Sequence, residues 1–215
     1  MPKKFFNLRF DSAPSQDAVG GAYLAPEGQG LPCCTQCDQQ MIPFLQFTLP
    51  VTAELPFAEG SRLSVLMCPE HNEIPSFESF DARPLPPAYW EQGEGHWYAS
   101  LEKPQAMHRV TGTSILQPAE LVLADAPADE DYRIAVGGAP DWVQDDETFT
   151  CACGSEMAFV CQVSDGFEFP KLPDAAEQPD SSSAKSYVLF LGNEVYVFAC
   201  SQQCDPRAVW ITVQN

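Results

Sequence analysis

Part of this chain is written twice, and that constrains its fold more than any other feature. Residues 136–163 read VGGAPDWVQDDETFTCACGSEMAFVCQV, with a glycine pair, a Trp-bearing turn, a close cysteine pair and an apolar run entered through Met157. Val19-Gly20-Gly21-Ala22 repeats Val136-Gly137-Gly138-Ala139. Cys37, Met41 and Gln46 keep the spacing of Cys153, Met157 and Gln162 without a gap. Farther on, residues 64–68 (SVLMC) answer residues 196–200 (YVFAC). A self-match that keeps its order over three blocks is the mark of internal duplication, and duplication decides architecture before local propensity does. The chain is expected to be two degenerate copies of one unit. Its organisation reads as an N-terminal strand over 1–18, a first repeat over 19–71, a middle segment with an acidic linker over 72–131, and a second repeat over 132–215.

The local patterns are those of strands. Phe6, Leu8 and Phe10 alternate with Asn7 and Arg9, the two-residue period of a half-buried strand. Residues 41–49 and 62–67 read as the next strands, with Pro43 at an edge or a bulge. Gly192-Asn193 lies between β-rich runs at 187–191 and 194–199 and reads as a tight hairpin. Residues 209–213 form a last strand. Residues 118–131, acidic and Pro-bounded, suit a linker with a short helical turn. Residues 172–185 form a polar Pro/Ser-rich loop with nothing to bury. Twenty prolines leave few uninterrupted helical windows. The expected class is mainly β, or β-rich α+β, with both repeats packed into one compact unit.

Charge narrows the partners. Eleven basic against 30 acidic residues give a formal −19. That leaves no reservoir of Lys and Arg to neutralise phosphates, so nucleic acid is disfavoured, and anionic membrane surfaces equally so. A basic protein segment is the natural counterpart, although plain solubility also explains the charge. The first residues, MPKKFFNLRFD, contain no apolar h-region, and no stretch reaches the length of a membrane helix. The expected location is cytoplasmic. In a reducing compartment nine cysteines do not form a disulfide framework, and metal ligation becomes the first explanation for those in close pairs.

Those pairs are Cys34-x2-Cys37 with Cys68-x2-His71, and Cys151-x-Cys153 with Cys200-x3-Cys204. Each set places two donors just before one strand and two just after a later strand. If the strands pair antiparallel, all four donors meet at one end of the sheet, as tetrahedral Zn2+ requires. Up to two structural zinc ions are expected, each closed by four protein ligands and each contributing folding free energy. Buried thiols with no metal are the alternative. Cys33 competes with Cys34 for the first site, and Cys161 belongs to the core. His96 and His108 fall outside any ligand spacing and read as surface or hydrogen-bonded histidines. The recurring Met41/Met157 and Gln46/Gln162 read as framework. Trp142 is either a core anchor or, with Gln144, the wall of a peptide groove. There is no Gly-x-Ser-x-Gly, P-loop or dinucleotide fingerprint, and the carboxylate pairs have no basic or His partner nearby. A non-enzymatic protein-binding module is the leading expectation. A metal-dependent enzyme with one open zinc site and a scaffold without a dedicated partner are the alternatives.

The segment GGAPDWVQ, the cysteine pair followed by Met157 and Gln162, and YVFACSQQC resemble the YwqG-like proteins and the related programmed cell death protein 2 group. The likeness is strongest over 136–214 and weaker over 19–71. It implies a duplicated β-rich fold that binds other proteins: a newly made ribosomal protein in the programmed cell death group, toxins among bacterial relatives. By position, Cys151, Cys153, Cys200 and Cys204 match that group's metal-binding cysteines, and Gly137, Gly138, Pro140, Trp142 and Gln144 match its leading motif. The first copy departs from the motif, because residues 23–26 contain no Pro-x-Trp-x-Gln.

Overall fold

A computed structural model of the chain describes residues 2–10, 15–71, 84–89, 96–130, 133–177, 183–188 and 192–215. Fourteen strands are described: β1 (Lys4–Arg9), β2 (Ala18–Val19), β3 (Tyr23–Pro26), β4 (Ile42–Thr48), β5 (Arg62–Met67), β6 (Trp97–Glu102), β7 (Met107–Val110), β8 (Ala119–Ala124), β9 (Ile134–Val136), β10 (Met157–Val163), β11 (Phe169–Pro170), β12 (Ser186–Tyr187), β13 (Glu194–Cys200) and β14 (Val209–Gln214). A 3-10 turn, Val51–Ala53, accompanies the strands. The fold is mainly β. No helix among the described residues is long and apolar enough to cross a membrane.

Ten strands form one antiparallel sheet in the order β14-β13-β10-β9-β1-β8-β2-β4-β5-β6, flanked by the small ladders β11-β12 and β3-β7. The large sheet curls until its two edges nearly meet. Leu101 of β6 donates its N–H to the Pro206 carbonyl at 2.7 Å, and Ala88 donates to Arg207 at 3.0 Å. The Tyr89 hydroxyl accepts from Ile211 N–H at 2.9 Å and donates to the same residue's carbonyl at 3.1 Å. Near-closure hides most strand-edge groups that an open sheet would leave as a pairing hazard.

The sheet reads alike from either edge. In β4–β5, Gln46 faces Ser64; in β10–β13, Gln162 faces Tyr196. A bulge falls between Pro43 and Leu45 in one pair and between Phe159 and Cys161 in the other, two residues past the matching methionines in each case. The strand before each pair keeps register as well: Val19 faces Leu45, and Val136 faces Cys161. At the middle of the sheet β1 meets β8, with Phe5 opposite Ala124, Arg9 opposite Glu120, and Asn7 opposite Val122. Exchanging the two halves turns the first of these pairs into the second and returns the third to itself.

Residues 118–131 are therefore not simply a linker with a helical turn. Residues 119–124 are β8, hydrogen-bonded on both sides to β1 and β2. Ala119 and Leu121 point inward, and Glu120 takes the Arg9 guanidinium in an ion pair. The hairpin expected around Gly192-Asn193 involves residues 189–191, which lie outside the described residues; the described Tyr187 pairs instead with Phe169. Most of the Pro-rich stretch 77–87 and part of the loop 172–185 also lie outside them. The strand at 41–49 is observed as β4, and Pro43 sits at its bulge, in the interior of the sheet.

The barrel-like interior is filled by aromatic rings. Phe6 packs on Phe47 with centroids 4.8 Å apart, Phe44 on Phe169 at 4.8 Å, Phe149 on Phe198 at 5.0 Å, and Tyr89 on Trp210 at 4.0 Å. The glycine pairs make the turns that bring β2 and β9 alongside this core. Gly137 has φ +71°, and a Cβ there would stand 2.8 Å from Ala53 Cβ and 3.0 Å from Ala53 O. Its N–H donates to the Val160 carbonyl at 3.0 Å, as Gly20 N–H does to Phe44 at 3.0 Å. Left-handed strain and the steric clash act together. Gly137→Ala is expected to destabilise the chain by about 2 kcal/mol or more, read as a lowered denaturation midpoint with an unchanged m-value.

Candidate metal centres

Each half of the sheet ends in a four-donor cluster. Cys34 and Cys37 lie in the turn before β4, which Cys34 ties together by donating its N–H to Gln39 O at 2.8 Å and accepting from Asp38 N–H at 2.9 Å. Cys68 and His71 follow β5. Antiparallel pairing of β4 with β5, Ile42 opposite Met67, carries the two donor pairs to the same end. In the second half Met157 lies opposite Cys200, so the turn holding Cys151 and Cys153 meets the turn holding Cys200 and Cys204.

The donor atoms of each cluster all lie within 4.8 Å of one another. In the first, Cys37 and Cys68 sulfurs are 3.6 Å apart, and His71 Nδ1 is 3.6 Å from Cys68 Sγ and 3.8 Å from Cys34 Sγ. In the second, Cys151–Cys204 and Cys153–Cys200 are each 3.5 Å. A tetrahedral ion with Zn–S near 2.3 Å requires sulfurs about 3.8 Å apart. The first donor set combines three thiols with an imidazole, the second consists of thiols alone, and both sets and their separations fit Zn2+. All eight residues expected as ligands are brought together. Cys33 is excluded from the first cluster: it is exposed and its backbone bridges to Gln40. Cys161 is fully buried in β10, and burial alone pushes its thiol far above the ordinary range.

The thiols differ in acidity. Burial would raise Cys34, but the backbone groups of Cys37 and Gln36 and the neighbouring thiols hold it at about 7. Ser155, through its side chain and backbone, and then Cys200, bring Cys153 down to about 6. Burial pushes Cys68 up to about 11 and also raises Cys151 and Cys204. Metal must displace protons from the high members, so binding releases protons and strengthens as pH rises. Zinc affinity measured by competition is expected to increase at least tenfold between about pH 6 and pH 8; a flat profile would contradict thiolate ligation.

Of the supporting residues, the recurring glutamines take the framework role expected of them, bonding backbone groups, whereas His96 was not singled out as a support. His96 is buried, stacks on the His71 ring at 5.0 Å, and shares a 2.6 Å hydrogen bond with Gln36. It backs the first cluster, whereas His108 is exposed. The paired glutamines are hubs: Gln46 accepts from Leu24 N–H at 3.1 Å and donates to Ala22 O at 2.6 Å. Gln162 accepts from Asp141 N–H at 2.9 Å and donates to Asp141 O at 3.1 Å. Beside them the halves carry opposite charges. Arg62 pairs with Asp17 at 2.9 Å, while Glu194 takes the Gln162 amide and lies 3.7 Å from Arg133.

Trp142 lies half-buried over Tyr196, centroids 4.5 Å apart, and nearly parallel to Phe198 at 5.8 Å. Its loop is tied down by Val143 and Gln144 N–H groups donating to Gln214 Oε1 at 3.1 and 2.9 Å, and the Gln144 amide donates to Asn215 O at 2.6 Å. Trp142 and Gln144 are thus both held by the chain itself. No family model matches this chain, and no curated protein matches it.

Proposed function

We propose that this chain is a non-enzymatic, zinc-stabilised protein-binding module built by duplication of one half-sheet unit. The observation that carries the reading is that both clusters supply four protein donors, which leaves no coordination position for water or substrate. When bound, zinc would supply cross-links between turns that have little regular structure of their own. Duplication is supported by the shared register, bulge position and glutamine bonding of the two halves. The resemblance to the YwqG-like and programmed cell death protein 2 groups points the same way and extends to a basic client, such as a ribosomal protein or a toxin, in the cytoplasm. The −19 charge is the electrostatic match for such a client.

Native mass spectrometry of reduced, chelator-free protein tests the metal half of this reading, with two zinc ions per chain as the expected result. Zinc-free folded protein would overturn it. The binding half requires a complex of defined stoichiometry with a basic protein that weakens as salt is raised. A salt-insensitive or variable stoichiometry would leave the scaffold reading standing in its place.

A further inference from the structure

The two clusters differ in which donors face outward. In the first, Cys34 and Cys68 are buried, and the half-buried outward donors are Cys37 and His71. In the second, Cys151 and Cys200 are buried, and the outward donors are Cys153 and Cys204, both exposed and both thiols. An imidazole forms no disulfide, so the first cluster offers an oxidant one reachable sulfur and the second offers two. The turn carrying Cys153 is open, since a Cβ on Gly154 would meet nothing within 4 Å. Each exposed sulfur also has a buried partner at 3.5 Å: Cys200 for Cys153, and Cys151 for Cys204.

We propose that the second cluster is an oxidation site at which a peroxide converts one of these pairs to a disulfide and expels the metal, while the first cluster keeps its own. The inference rests on the zinc reading above. The outward thiolate attacks a peroxide oxygen, an S–O bond forms, the O–O bond breaks and hydroxide leaves. The buried thiolate then attacks that sulfur, an S–S bond forms and a second hydroxide leaves. Two thiolates lose two electrons in all, and the peroxide is reduced to two hydroxides. With two of four donors consumed, Zn2+ departs and the remaining thiolates take up protons.

Metal loss there acts on the seam of the sheet. In the turn between Cys200 and β14, Gln203 accepts from Ala58 N–H at 2.9 Å and donates to Ser61 Oγ at 2.9 Å. Pro206 and Arg207 hold β6 and Ala88 through their carbonyls. The other turn holds Leu85 on both sides, through Thr150 O and Ala152 N–H, each at 2.8 Å. Release of the second metal therefore frees the contacts that bring the two sheet edges together.

The test is hydrogen peroxide added to zinc-loaded Cys33→Ser protein, with the parent run in parallel. That substitution removes the exposed thiol beside the first cluster. Metal release is followed with a chromogenic zinc chelator, thiols by differential alkylation and mass spectrometry, and the seam by limited proteolysis. One zinc is expected to leave at least about tenfold faster than the other. It should leave together with a disulfide joining Cys153 to Cys200 or Cys204 to Cys151, while Cys34, Cys37 and Cys68 stay alkylatable. Cleavage at 201–207 should rise in step, and a dithiol reductant with added zinc should reverse all three changes. Equal release rates, earlier loss from the first cluster, or release without a disulfide would overturn the oxidation site and leave the zinc module intact. Protein that holds no zinc before peroxide is added would overturn the module itself, and the oxidation site with it.

Discussion

Cys200→Ser should lower the metal content from two zinc ions per chain to one and loosen the second half of the sheet. Cys200 is buried at the end of β13, opposite Met157, and its sulfur lies 3.5 Å from Cys153. A serine hydroxyl is a poor zinc ligand, so three donors remain with an unfilled corner. Structural zinc contributes on the order of 10 kcal/mol in small metal-folded domains. Here the sheet supplies much of the framework, so a loss of roughly 4 kcal/mol is a conservative expectation, equivalent to a fall in Tm of roughly 8–16 °C for a chain of this size. Metal analysis and a thermal melt on the same sample decide the matter. A variant that melts like its parent would show that the second cluster is no staple.

Phe198→Ala should produce a loss of similar size by a different route. Its ring is nearly fully buried and meets Phe149 at 5.0 Å, Phe159 at 5.6 Å and Trp142 at 5.8 Å. Truncation removes the burial of a whole ring and opens a cavity that three rigid aromatics cannot collapse to fill, which costs about 3–5 kcal/mol. The folded variant should still hold two zinc ions, because no donor has changed. Cys200→Ser and Phe198→Ala thus separate stapling from packing. Loss of zinc from Phe198→Ala below its unfolding transition would mean that the ring positions the donors as well as filling space.

The metal clusters were legible in the sequence because each donor pair is local: a short turn fixes its spacing, and only the pairing of β4 with β5 and β10 with β13 had to be supplied. The competition between Cys33 and Cys34 was not legible, since it depends on the Cys34 backbone bonds to Asp38 and Gln39. Strand β8 was missed for a related reason. Only Ala119-Glu120-Leu121 alternates before Val122 and Leu123 break the period, and the acidic flank and Pro118 outweighed that short signal. What makes it a strand is β1, more than a hundred residues earlier, and β2 on its other side. Proline marked the bulge in β4; its counterpart in β10, between Phe159 and Cys161, carries no such residue and comes from backbone geometry alone. The role of His96 depends on where Gln36 and His71 arrive, which no window around residue 96 contains.

The position of β1 has a consequence for the order of synthesis. Strand β1 leaves the ribosome before β2–β14, yet it sits at the middle of the sheet, between β8 and β9. It must wait for residues 119–136 before it has either neighbour, and neither half can shut its midline edge alone. Such long-range closure is slow, because the entropy of bringing distant segments together is lost before contacts compensate. Until then β1 is an unpaired, amphipathic strand that could equally enter a second chain. Strand exchange between two copies through β1 is the characteristic misassembly that this topology invites.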